Sequence, residues 1–355
     1  MRWEPDVLGD GFESAVLQTL HPDGAYRIAT LIRYRPGPRV PGGPGEVTGV
    51  NRQAVLFLHG WSDYFFNPEL ARFWSDLGIA FYALDMHNHG RSLRSGDMGG
   101  FVGNLRDYDP ELQRALDAVV EDLRTGSGEV TAHVTPDGPA PAEPRIALMG
   151  HSTGGLVAAL WASRHPGTVS HLVLNSPWLE MHGSAVVRYA AGSLVGPLAS
   201  RWPRMRMHLP ERNFYWRSIS SRAGGEWDLD DELRPPKAFP IRLGWMSAIL
   251  AGQAAVAKGL QIGVPIVVLM SARSLNGPFW KEGMRAADAV LDIQTMAARA
   301  VTLGATVTVE RIDGGLHDVL LSNRPVREDA YRRLERWVRG YMLTSQPERH
   351  GEQLS

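Results

Sequence analysis

RIALMGHSTGG, residues 145 to 155, is the stretch on which the reading of the fold turns. An apolar run ends at Gly150, Ser152 stands between two glycines, and a helix-like segment, GLVAALWASRHP (155–166), follows. Gly-x-Ser-x-Gly between a strand and a helix is a sharp turn that lifts the serine hydroxyl above the strand's end, with glycines where a Cβ would clash. An ordinary glycine-rich turn is the bland alternative. The flanking strand and helix favour the nucleophile reading for Ser152, because the helix's first amides would face its hydroxyl.

Outward from this turn the same rhythm repeats. AVLFLHG (54–60), IAFYALDMHNHG (79–90), HLVLNSP (171–177) and VPIVVLM (264–270) are short apolar runs, as strands buried on both faces are. Between them PELARFWSDLG (68–78) and DPELQRALDAVVEDLR (109–124) read as helices, the second with Asp109 and Pro110 at its start. The alternation predicts an α/β fold with a mostly parallel central sheet and helices on both faces. ESAVLQTL (13–20) and YRIATLIRYR (26–35) read as a first pair of strands. From Trp178 to Gln261 the alternation stops and Trp, Met, Tyr and Arg become frequent, so 178–261 is expected to be an inserted cap on a core of residues 1–177 and 262–345. Two Pro/Gly-rich stretches, 35–49 and 125–144, read as surface loops, and 346–355 as a flexible tail.

Composition narrows the chemistry. A chain of 355 residues carries 37 basic and 38 acidic side chains, which leaves no basic stripe for nucleic acid. It has no cysteine, so disulfides, thiolate zinc sites and cysteine nucleophiles are excluded, and a reducing cytoplasm is the expected compartment. The first 20 residues lack a signal peptide's basic head and apolar run and read as mature sequence. The most apolar region, 247–270, is broken by Gln253, Lys258, Gln261 and Pro265, so no membrane span is expected.

Downstream, VTVERIDGGLHDVLLS (307–322) puts His317 on a loop directly after an alternating strand, where a base could reach a serine at the same sheet edge. A lone loop histidine is more often solvated or structurally bonded, as His21 and His133 are expected to be. His317 ranks above them because serine, acid, histidine is the chain order of such sheets. An oxyanion needs two NH donors. The amide of Thr153, next to the serine, and the amide of Trp61, in the turn after AVLFLHG, are the candidates.

FLHGWSDYF, ALDMHNHGRS, LMGHSTGGL, ADAVLD and DGGLHD together resemble the α/β-hydrolase superfamily, and within it the monoglyceride lipase, lysophospholipase and serine aminopeptidase-like group, over roughly residues 50 to 342. That resemblance implies an α/β-hydrolase fold and a serine, acid, histidine triad. It also implies an acid a few residues after VPIVVLM, yet the chain continues Met270-Ser271-Ala272-Arg273 and reaches no carboxylate until Glu282. Glu282, Asp288 and Asp292 are the candidates. Glu282 reads as the surface start of a short helix. Asp288 follows the family's A-D-x-V-x-D wording, with the usual turn lengthened by residues 273–286; Asp292 is the runner-up, and Asp318 reads as a local cap.

Three other readings compete. His87-Asn88-His89 beside Asp85 begins a metal-ligand pattern, but no H-x-H-x-D-H or H-E-x-x-H follows, so neither a metal nor another cofactor is expected. A non-catalytic protein on this fold would be expected to lose one of the three groups. Haloalkane dehalogenases and epoxide hydrolases of the superfamily place Asp where Ser152 stands, which leaves acyl transfer through an acyl-enzyme. The expectation is therefore a serine carboxylester hydrolase acting on a small-molecule ester, with a peptidase or amidase second. His151, Trp178, Met181, Trp216 and Trp245 are the expected substrate-binding residues, with Tyr189, Trp202 and Met205 also in the apolar cap set. Arg201, Arg204, Arg206 and Arg212 would meet an acidic head group or sit solvated.

Overall fold

A computed structural model describes residues 1–21, 23–37, 52–125, 143–181, 195–208 and 213–343. Most of the two Pro/Gly-rich loops, Tyr189, Arg212, His133 and the tail 346–355 lie outside them.

Nine strands form one sheet: β1 (Glu4–Pro5), β2 (Phe12–Leu20), β3 (Tyr26–Tyr34), β4 (Gln53–Leu58), β5 (Ala80–Asp85), β6 (Arg145–His151), β7 (His171–Asn175), β8 (Ile266–Ser271) and β9 (Val307–Ile312). Their order is β1-β2-β3-β5-β4-β6-β7-β8-β9. β1 to β3 join antiparallel, and every pairing from β5 through β9 is parallel. The mostly parallel sheet read from the sequence is present, with the N-terminal pair as β2 and β3.

Side-chain alternation makes the sheet the middle layer. Along β4, Ala54, Leu56 and Leu58 enter one core while Val55 and Phe57 enter the other; on β6, Ile146 and Leu148 face one side and Ala147 and Met149 the opposite one. Helices cover both faces: α1 (Pro68–Asp76), α2 (Asp109–Thr125), α3 (Thr153–Arg164), then α4 (Phe214–Ile219) and α5 (Leu243–Val256), followed by α6 (Ile293–Ala300) and α7 (Arg324–Tyr341). α1 starts at Pro68 with the Asn67 side chain accepting from the Leu70 amide at 3.1 Å, which satisfies one orphan donor of its first turn.

The described residues of the stretch 178–261 are less uniform than an insertion standing off the core. Leu243, Trp245, Met246, Ala248, Ile249 and Val256 of α5 are buried in the same core as α3 and the sheet, while Ile219 of α4 and Trp227 and Leu229 after it pack on Tyr64 and Phe66, which follow β4, and on Leu316 and Leu321, which follow β9. No helix among the described residues is long and apolar enough to cross a membrane.

Candidate active site

The turn after β6 has the geometry its sequence demands. Ser152 sits at φ 52° and ψ −117°, a strained conformation for a residue with a side chain. Its amide donates to Asn175 O at 3.1 Å, and its carbonyl accepts from Trp178 N at 3.0 Å and Leu156 N at 3.1 Å. Glycines let the backbones close in: a Cβ on Gly150 would meet Gly154 O, and one on Gly154 would run into the carbonyl oxygens of Leu58 and His59.

The loop after β9 brings His317 to the serine. His317 Nε2 lies 3.0 Å from Ser152 Oγ, and its Nδ1 lies 3.0 Å from Asp288 Oδ2. The His317 loop is anchored on both sides. Ser271 Oγ donates to Gly315 O at 2.7 Å, and Asn175 Nδ2 donates to Asp318 Oδ1 at 2.6 Å. Asp318 also caps the short turn that follows, accepting from Leu320 N at 2.9 Å.

The late carboxylate is accounted for by a loop that leaves and returns. After β8 the chain runs out, then folds back so that Ser274 and Asp288 form an isolated β-bridge, with Asp288 N donating to Arg273 O and Leu275 N to Asp288 O. Asp288 is fully buried, and its Oδ1 accepts from Val290 N at 2.7 Å and Leu291 N at 2.8 Å. Burial pushes its pKa up, but the adjacent His317 ring and the two amides outweigh this and hold the carboxyl below its ordinary range. Asp292 does something else: it caps α6, accepting from Thr295 N at 2.8 Å. Glu282 is exposed and pairs with Arg285.

The excursion also braces α4. Trp280 lies 6.1 Å from Phe214 with the Arg217 guanidinium 4.6 Å from its ring centre, and Arg285 donates to Gly224 O at 3.3 Å.

Ser152 and His317 open onto a cavity of about 270 Å³. His151, Trp178, Trp216 and Trp245 line it, as do Trp61 and Thr153. The backbone amides of Trp61 and Thr153 donate to no group among the described residues. His59 positions the turn that carries Trp61: its Nδ1 lies 2.7 Å from Gly60 O and its Nε2 accepts from Met86 N at 3.0 Å, which fixes the proton on Nδ1. His151 is kept neutral by burial, which lowers its pKa, and its Nδ1 donates to Asn175 O at 3.1 Å.

Two expectations need correction. Met181 does not line the cavity; it packs, partly buried, against the main core. Trp202 and Met205 are exposed, because their segment lies on the outer surface of the chain. Of the two alternatives open for the cap arginines, Arg201, Arg204 and Arg206 take the solvated one: they are exposed and do not line the cavity.

Sequence reasoning missed the polar end of the cavity. Arg234 is buried there, its Nε donating to Asp63 Oδ1 at 2.9 Å and its guanidinium 5.2 Å from the centre of the Tyr215 ring. Tyr215 in turn meets the His317 ring edge-on at 5.2 Å. Arg234 reads as one more charge in a proline-rich loop, and only its pairing with Asp63, 171 positions away, brings it inside.

The model of the serine aminopeptidase, S33 family matches residues 49–323. The chain belongs to that family. Its S33 sequence is similar to a monoacylglycerol lipase of Mycolicibacterium smegmatis, 34% identical over 154 residues, 43% of this chain and 48% of the relative, so the chain spans about half the length of that curated relative. Among solved structures, a soluble variant of monoglyceride lipase from Saccharomyces cerevisiae in complex with a substrate analog matches with a TM-score of 0.63 at 14% identity, covering 93% of this chain and 96% of that one. The monoacylglycerol lipase of Paleococcus ferrophilus matches at 0.55 with 16% identity, covering 81% and 94%. At these identities the likeness shows the fold, and it is the α/β-hydrolase fold.

Proposed function

We propose that this S33 chain is a serine hydrolase that cleaves carboxylic esters of an apolar acyl chain and a small hydroxylated alcohol, of the monoacylglycerol kind, through an acyl-enzyme. The observation that carries this reading is the continuous pair of 3.0 Å hydrogen bonds from Ser152 through His317 to Asp288 at the cavity wall. His317 Nε2 takes the proton of Ser152 Oγ as that oxygen attacks the ester carbonyl. The oxyanion that forms accepts from the amides of Trp61 and Thr153, donors whose loss typically costs about 100- to 1000-fold in rate. His317 then gives its proton to the departing alkoxide, and water, deprotonated by the same ring, releases the acid. Asp288 keeps the Nδ1 proton in place and balances the imidazolium.

Residues 178–261 act as the cap in this reading. Trp178, Trp216, Ile241 and Trp245 supply an apolar wall for the acyl chain, and Asp63 with Arg234 a polar end for the alcohol. The relatives that carry monoacylglycerol lipase names support the same substrate class.

The family's description favours a second reading, an aminopeptidase. Such an enzyme needs an anionic group free to hold the substrate's ammonium, and Asp63, the one carboxylate that lines the cavity among the described residues, is already paired with Arg234. Turnover of 4-nitrophenyl esters of graded chain length and of a monoacylglycerol, run beside amino-acid anilides, separates the two. Faster ester turnover is expected, and faster anilide turnover would overturn the ester reading.

A further inference from the structure

Three buried side chains that the ester chemistry does not use converge where β2, the loop after β5 and the first turn of α2 meet. One ring nitrogen of His21, one of His87 and one carboxylate oxygen of Glu111 all lie within 4.8 Å of one another, and the residues are 2%, 3% and 0% exposed. Glu111 is bonded to His87 alone, to its Nδ1 at 3.0 Å and its backbone amide at 3.3 Å, and no arginine or lysine pairs with it among the described residues. His21 meets Thr19 Oγ1 through Nε2 at 3.0 Å, while its buried Nδ1 has no partner. The two imidazoles stand edge-on, 5.4 Å apart.

A carboxylate taken wholly out of water needs a cation beside it. Two imidazoles and a carboxylate within reach of one point are a donor set that zinc and its neighbours accept. We propose that His21, His87 and Glu111 bind one divalent transition-metal ion of the zinc class, in a structural site that ties the β2–β3 hairpin and the start of α2 to the loop after β5. Bonds of about 2.0–2.2 Å hold tetrahedral ligand atoms roughly 3.4 Å apart, so the set closes by side-chain rotations that move its atoms by roughly 1 Å. An ion of this class takes each imidazole in its neutral form. The pattern that suggests a metal in the sequence, Asp85 with His87 and His89, is not this site. Asp85 is occupied by Arg91 and the Phe65 amide, and His89 Nδ1 bonds to His87 O.

His21, His87 and Glu111 do not line the cavity, yet they support the turn that carries Trp61. Met86, beside His87, donates its amide to His59, and His59 holds Gly60 next to Trp61. The proposal does not depend on which ester, or amide, is cleaved.

The test starts from chelator-stripped full-length protein exposed to Zn²⁺ or Co²⁺ and then freed of excess metal by gel filtration. One retained equivalent is expected, with a rise of several degrees in thermal midpoint. His21→Gln and Glu111→Gln should lose the retained metal, whereas His208→Gln, at an exposed histidine, should keep it. Should the two core variants not fold, X-ray absorption on the zinc-loaded wild type decides, with nitrogen and oxygen ligands that include two imidazoles expected. No retained equivalent, full retention in both core variants, or an absorption spectrum without two imidazoles would overturn the site and leave His87 and Glu111 as a hydrogen-bonded pair.

Discussion

Asp288 and His317, 29 positions apart in the chain, meet at 3.0 Å with both side chains out of water. The carboxylate reaches this place by the β-bridge between Ser274 and Asp288, and two amides fix its other oxygen. An acid so held stays ionised at neutral pH, where it can balance an imidazolium.

Exchanging that carboxylate for an amide should therefore act on chemistry. Asp288→Asn is expected to lower kcat by roughly 10³- to 10⁴-fold with little change in KM. Asp292→Ala should keep kcat and lose about 1 kcal/mol in a urea unfolding curve, the usual worth of a helix cap. The opposite pattern in steady-state kinetics would move the acid four residues along the chain, to Asp292.

Trp245 is buried with its ring 4.5 Å from Trp61 and 5.8 Å from Trp178, and it lines the cavity. Trp245→Ala should cost about 3–5 kcal/mol and shift the ester preference toward longer acyl chains. Urea midpoints and a chain-length series read the two effects separately.

Gly154 has no room for a methyl group, because the carbonyls of Leu58 and His59 lie against it. Gly154→Ala is expected to destabilise by about 1–3 kcal/mol through overpacking and to lower kcat by displacing Ser152. A variant with wild-type stability and turnover would mean that the turn is looser than described.

His171 gives a pH test away from the cavity. Burial lowers its pKa from 6.5 to about 4, against the hydrogen bond between its Nε2 and Tyr341 O at 2.9 Å, which raises it. Between those values the unfolded chain binds a proton that the folded one refuses. Stability is thus whole above about pH 6.5 and falls as pH drops toward 4, by at most about 1.4 kcal/mol per pH unit from this ring. In His171→Asn the stability-against-pH curve should be flatter over that window, and an unchanged slope would assign it to other groups.

Local pattern was enough for the sheet and for the sharp turn at Ser152, because each rests on a short apolar run and the turn that ends it, whereas His317, 3.0 Å from Ser152 Oγ, stood out from the other histidines only by chain order. Asp288 was legible only through the A-D-x-V-x-D likeness. Its position depends on residues 273–286 folding back to pair Ser274 with Asp288, a closure that no periodicity records. Asp63 and Arg234 were illegible for a related reason: each reads as a surface charge, and only the other member of the pair makes its burial tolerable. The cap's aromatic richness was a partial guide to the cavity, since Trp178, Trp216 and Trp245 line it while Trp202 faces outward.

The most direct measurement of the central claim, that Ser152 is a nucleophile activated by His317, is labelling with a fluorophosphonate followed by peptide mass mapping. One adduct per chain is expected, on Ser152, formed slowly or not at all in His317→Ala and absent in Ser152→Ala. Stoichiometric labelling of any other residue, or an unmodified Ser152 in a folded and active preparation, would contradict it.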